Sequence, residues 1–159
     1  LIVHHAPVRT ETKTIVLALD GSPSADAALD CVANLKANAD LTVHLLAVVE
    51  TVRLYGTEMI LDGAGGIEHE RRLAQTRLDA AAQKLSSLGG KVTTEVHTSQ
   101  DVAGCILDAA EARQADLIVI GSRGKSAWER FLLGSTSLRV LHHAPCSVWI
   151  ERLEQPEEG

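Results

Sequence analysis

The sequence predicts an α/β protein with an open, doubly wound parallel sheet and helices on both faces. Three observations carry this. Short aliphatic runs alternate along the chain with stretches of helical period. One of those runs, Leu41 to Val49, is almost unbroken in hydrophobicity, which suits a strand covered on both sides. Repeated strand–helix–strand units joined by right-handed crossovers close into a parallel sheet.

Each element has a local reason. Ile15 to Leu19 is a β-branched and aliphatic strand. It is followed by Asp20-Gly21 as a turn, Ser22 as N-cap and Pro23 at the first helical position. The first helix runs to about Ala37, with Ala28, Leu29, Val32 and Leu35 on one face. After the strand Leu41 to Val49, the segment Glu50 to Gly66 has no period, and its glycines Gly56, Gly63, Gly65 and Gly66 predict a mobile loop. Ile67, Ala74, Leu78, Ala81, Leu85 and Leu88 then mark the inner stripe of a long helix that stops at Gly89-Gly90. Val92 to His97 reads as the third strand, and Asp101 to Gln114 as a helix with Val102, Ile106 and Ala110 inward. Asp116 to Ile120 is the fourth strand and Ser135 to His143 the last helix. Pro145 separates that helix from a fifth strand, Ser147 to Glu151.

Composition narrows the function classes. A chain of 159 residues is one-domain length and can bury a proper core, and 45% apolar residues with 3% aromatic ones make that core aliphatic. A net charge of −6 with dispersed Lys and Arg speaks against nucleic acid, which calls for a basic stripe. Cys31, Cys105 and Cys146 stand singly in apolar stretches without C-x-x-C spacing, which predicts buried free thiols and a reducing, cytoplasmic setting. No apolar run has the length of a membrane span, and no signal peptide is read at the start.

The stretch after the fourth strand carries the chemistry. Two residues separate Gly121 from Gly124, and nine separate Gly124 from Gly134, which is followed by Ser135, Thr136 and Ser137. A glycine pair at a strand end lets backbone N–H groups approach an anion. The hydroxyls of the serine–threonine run lie where a new helix has unpaired N–H groups and a positive dipole end, so a polyphosphate could be held from two sides.

This Gly-x2-Gly-x9-Gly-Ser pattern resembles the ATP-binding signature of the universal stress protein family. Ile15 to Ser22 is similar to that family's opening strand with its terminal aspartate, and His142 to Val148 to its closing helix-to-strand turn. The resemblance implies a Rossmann-like, five-stranded sheet in the order 3-2-1-4-5 over residues 13–152, with 153–159 as an acidic, frayed tail. In that order the winding reverses between the first and fourth strands, and ligands bind at such a switch point. Asp20 and Gly121 both fall there. Carried over by residue, the resemblance puts Ala18, Leu19 and Asp20 beside the adenosine and lets Val48 offer backbone to the adenine. It brings Ile120 and Gly121 to the ribose and first phosphate, and wraps the phosphates with Arg123, Gly124, Gly134, Ser135, Thr136 and Ser137. Lys125 and Arg130 are nearby cations that read as a solvated helix face. The implied ligand is ATP, with Mg2+ bridging phosphates and few protein ligands to the metal.

Several rival signals are weak. Gly121-x-x-Gly124-Lys125-Ser126 has two residues where a P-loop needs four between its glycines. Asp20-Gly21-Ser22-Pro23-Ser24 is not the Ser-Gly-Gly-x-Asp-Ser loop of adenylating ligases. His142-His143 suit a helix C-terminus better than a metal, and His44, His69 and His97 carry no constellation in sequence. Ser99 to Val102 departs from the glycine and proline that family members often carry before the third helix.

Two features concern assembly. Ile2 to Val8 repeats the sense of Val140 to Cys146, so residues 1–12 read either as an extension or as the end of a preceding similar domain. Ser147 to Ile150 reads as an uncovered apolar edge strand that invites pairing with a second copy or a tandem domain, unless the acidic tail covers it. The expected function is an ATP-binding stress-response regulator with at most slow hydrolysis. The alternatives are an ATPase or nucleotidyl-transfer enzyme, or a ligand-free dimeric interaction module.

Overall fold

A computed structural model describes residues 2–3, 12–35, 40–51, 65–122 and 133–152. Its single sheet contains β1 (Ile2–Val3), β2 (Thr14–Ala18), β3 (Thr42–Glu50), β4 (Lys91–Ser99), β5 (Leu117–Gly121) and β6 (Ser147–Glu151). The strand order is β1-β6-β5-β2-β3-β4. Strands β2 to β6 are mutually parallel and reproduce the predicted order, while β1 adds a sixth, antiparallel strand outside β6. Ile2 pairs with Trp149 and Val3 with Val148. The β6 edge expected to be uncovered is therefore occupied by the chain's own leading segment. Ile2 and Val3 are extended, whereas Val140 and Leu141, their counterparts in the internal repeat, are helical.

Four helices cover the sheet: α1 (Pro23–Ala33), α2 (Gly65–Leu85), α3 (Val102–Ala112) and α4 (Ser135–His143). Strand alternation sorts side chains to two cores. Ile15, Leu17, Val43, Leu45 and Val119 pack with α1 and α2, while Val16, Leu46, Ile118, Ile120, Val148 and Ile150 pack with α3 and α4. Burying each such side chain contributes about 1.5–3 kcal/mol, and burial on both faces is why the strands read as continuous apolar runs.

Local chemistry sets the helix ends. Ser22 caps α1 by accepting from the Ala25 amide at 3.3 Å, with Pro23 in the first turn. The helix stops at Ala33, short of the expected Ala37: Asn34, its C-cap, makes the last helical bond to the Asp30 carbonyl and adds a side-chain N–H bond to the same oxygen. Gly65 and Gly66, read as loop, open α2. The buried stripe of α2 is Ala74, Leu78, Ala81 and Leu85; Ile67, expected inward, is exposed, since no residue of the helix before Ala74 reaches a core. Among the thiols only Cys146 is fully buried, Cys31 and Cys105 being half-buried. Burial, and secondarily Asp116, pushes the Cys146 thiol up to about 11. The expected mobile loop 52–64 and the acidic tail lie outside the described residues.

Candidate functional site

The crevice forms where β2 and β5, neighbours in the sheet, send their connections to opposite faces: β2 leads into α1 and β5 toward α4. Beyond the last strand residue of β2, the Leu19 amide donates to the Leu46 carbonyl at 2.8 Å, and the chain then turns at Asp20. One Asp20 oxygen accepts the Ser22 amide at 2.9 Å, which makes the aspartate an Asx turn as well as a candidate ligand residue. Gly21 has φ +77, and the Arg77 side chain of α2 lies against it, 3.1 Å from where a Cβ would stand. Arg77 is a cation at the mouth to which the sequence motifs give no role.

The register pairs of β2 and β3 end at Ala18 and Leu46, so Val48 extends past β2 beside the Asp20 turn. This is the position expected for a backbone contact to a base. Ala18, Val48 and Leu133 are half-buried against the α3/α4 core, so the crevice has an apolar wall on that face. Ile120 beneath them is buried.

Gly121 and Ser122 join the elements. A Cβ on Gly121 would stand 2.5 Å from Ser24 Oγ and 2.8 Å from the Ala25 amide, so the first turn of α1 rests directly on this glycine. Its small size is thus used by packing, a reason the motif alone does not disclose. The Ser122 amide donates to the Glu151 carbonyl at 2.7 Å, and the Gly134 amide donates to the Ser122 carbonyl at 2.9 Å. The connection 123–132 accordingly leaves and returns at one hydrogen-bonded neck. Arg123, Gly124, Lys125 and Arg130 lie outside the described residues.

Gly134, with φ −62 and ψ 154, is the N-cap of α4 and brings no side chain to its first amides. Ser135 is exposed and Thr136 half-buried, whereas Ser137 is 4% exposed and its hydroxyl donates to the Gly121 carbonyl at 2.9 Å. The Ser137 hydroxyl therefore ties helix to strand and leaves Ser135 and Thr136 as the outward hydroxyls. Ser122, quoted in the motif but given no role, is 2% exposed, and its Oγ has no hydrogen-bond partner among the described residues. Native interiors rarely leave a hydroxyl so.

The crevice also has an electrostatic frame. Asp101 caps α3 by accepting the Gly104 amide at 2.8 Å and binds Arg139 of α4 at 2.6 and 2.8 Å. The amide bond first, and Arg139 second, hold its carboxyl below the ordinary carboxylate range. Two of the histidines read as isolated in sequence have side-chain partners in space, while His69 is exposed on α2. His44 Nδ1 meets Thr93 Oγ1 at 2.5 Å, and Glu95 binds both His97 and Arg113. His97, then Arg113, lower the Glu95 carboxyl against an opposing effect of burial. The Arg113–Glu95 pair fastens the end of α3 to β4, and His44–Thr93 ties β3 to β4. No group of three or more metal-ligating side chains occurs among the described residues.

The sequence profile of the universal stress protein family matches residues 11–152. The chain belongs to the universal stress protein family. A universal stress protein of Methanocaldococcus jannaschii is 30% identical over 148 residues, covering 91% of this chain and 85% of the relative. The universal stress protein UspA of Lactobacillus plantarum has the same fold, with a TM-score of 0.76 at 23% identity over 91% of this chain and 100% of that one. A family protein of Arabidopsis thaliana, solved with AMP bound, superposes with a TM-score of 0.60 at 19% identity over 92% of this chain and 97% of the other. In this universal stress protein, as far as it is described, no helix is long and apolar enough to cross a membrane.

Proposed function

We propose that this universal stress protein is an adenine-nucleotide-dependent regulator that binds ATP at the β2–β5 crevice. The observation that carries the reading is the buried Ser122 hydroxyl, without a hydrogen-bond partner among the described residues, beside a helix whose N-cap is a glycine. The hydroxyl and the first amides of α4, which no cap side chain accepts from, are donors that an anion would satisfy. The Ser135 and Thr136 amides and hydroxyls take the phosphates on one side, and Arg123 and Gly124 take them on the other. The Asp20 oxygen not used by Ser22 accepts from ribose, and Val48 meets the adenine edge through its backbone. Mg2+, bound with the nucleotide, would offset phosphate charge with few protein ligands. The adenine nucleotide seen in the Arabidopsis relative supports this ligand class.

No described arrangement activates a water molecule, so occupancy, with at most slow hydrolysis, is the proposed signal. The nucleotide shifts the protein between states that a partner distinguishes. Copies, or tandem domains, pair through β6.

Calorimetric titration of nucleotide-stripped protein with ATP, with and without Mg2+, tests this beside Ser135→Glu. The glutamate suits the positive end of α4 and keeps the fold, but it faces the phosphates. Micromolar binding by the wild type that weakens about tenfold or more in the variant, a loss of about 1.4 kcal/mol, is expected. A folded wild type that binds no adenine nucleotide overturns the reading.

A further inference from the structure

The leading strand β1 lies antiparallel on the outer edge of β6, and β6 is the strand through which pairing is proposed above; this inference rests on that pairing. Edge strands commonly discourage further pairing with proline or lysine, and neither occurs in Ser147–Glu151. The core explains why this edge stays apolar. Val148 and Ile150 are fully buried against the α3/α4 layer, and Trp149 packs against the other, so the side chains cannot be exchanged for charges without loss of the fold. The edge therefore depends on a cover, and β1 is that cover.

The geometry is also informative. A second copy that pairs about a two-fold axis must present its β6 antiparallel, which is the orientation in which β1 already lies. Ile2 and Val3 thus occupy, opposite Trp149 and Val148, backbone that a second copy would use. Both cannot pair there at once. The described pairing of β1 with β6 spans two residue pairs, Ile2 with Trp149 and Val3 with Val148, so few backbone hydrogen bonds oppose its exchange for a second copy's strand.

We infer that β1 is an autoinhibitory cover of the β6 edge, and that two copies pair only when both have released it. The consequence is quadratic. A cover closed in about nine copies of ten leaves about one in ten competent, and since two must be open together the apparent dissociation constant is weakened about 100-fold.

The test is sedimentation equilibrium of the full chain and of an Ile2→Pro, Val3→Pro variant across the micromolar range. Amide exchange of β6 is followed in both at a dilution where each is monomeric. The prolines remove both backbone donors of β1, and far-UV circular dichroism with a cooperative thermal transition checks that the variant keeps its fold. The expected result is dimerisation tightened by one to two orders of magnitude (about 10- to 100-fold), together with faster exchange in the monomer at whichever of the Val148 and Trp149 amides faces β1, the other facing β5 and keeping its protection. Equal dissociation constants, or unchanged exchange, overturn the cover while leaving dimerisation through β6 standing. A weaker dimer in the variant overturns it as well, since β1 would then belong to the interface. Wild type and variant that both stay monomeric overturn the cover and the proposed pairing together.

Discussion

Arg139 of α4 grips both carboxylate oxygens of Asp101, the residue that caps α3, at 2.6 and 2.8 Å. The helix that opens at the candidate phosphate end of the crevice is thereby fixed to its neighbour on the same face. Bidentate geometry of this kind holds orientation as well as charge.

A pH dependence follows from that pair. The Asp101 carboxyl titrates below its usual value, first through the Gly104 amide and then through Arg139. Its stabilising contribution is complete above the unfolded carboxylate pKa of about 4 and is lost as pH falls through the lower folded value. Asp101→Asn keeps a capping oxygen and abolishes the titration. Thermal unfolding from neutral pH down to strongly acid pH is expected to show a smaller fall in Tm for the variant than for the wild type. Parallel profiles would count against the assignment.

Gly121→Ala is expected to destabilise the fold. The new methyl group would stand 2.8 Å from the Ala25 amide and from the Ser24 carbonyl carbon, which are backbone and cannot rotate away. Overpacking of this kind costs about 1–3 kcal/mol. Adding Ser24→Ala removes the hydroxyl contact at 2.5 Å but neither backbone contact, so only part of the loss returns. Urea unfolding of the single and double variants measures both quantities.

What could be read in the chain was the chemistry of near neighbours. Ser22-Pro23 announced the start of α1, and the last helix and strand have the predicted bounds, because caps, prolines and periodicity act within a few residues. Asp20 and Gly121 met at the switch point because strand order follows from the chirality of the crossovers and the family resemblance. The unread features are those that depend on residues far apart in the chain. Gly121 is backed by Ser24 and Ala25 of another element, Ser137 reaches the Gly121 carbonyl, and His44 meets Thr93 across a strand pair. The placement of Ile2 and Val3 on Trp149 and Val148 joins opposite ends of the chain, and no local pattern encodes it. Glycine also misled: Gly65 and Gly66 lower helix propensity without forbidding a helix whose later turns are held by Ala74, Leu78 and Leu85.

Ser122→Ala separates the structural role of this residue from its role in binding. The Ser122 hydroxyl is buried without a partner among the described residues and so carries an uncompensated desolvation cost, and deleting it is expected to leave stability unchanged or raise it by about 1 kcal/mol. The neighbouring backbone bonds, from the Ser122 amide to Glu151 and from Gly134 to the Ser122 carbonyl, do not involve the side chain and persist. If the hydroxyl meets a phosphate in the complex, ATP affinity falls by about ten- to a hundredfold, the worth of one hydrogen bond to a charged group of about 1.5–3 kcal/mol. Adenosine, which has no phosphate, loses nothing by the substitution. Titration of the wild type and the variant with ATP and adenosine, beside unfolding curves for both, reads all three quantities. A variant that loses stability and binds ATP as tightly as the wild type would reduce Ser122 to a packing residue.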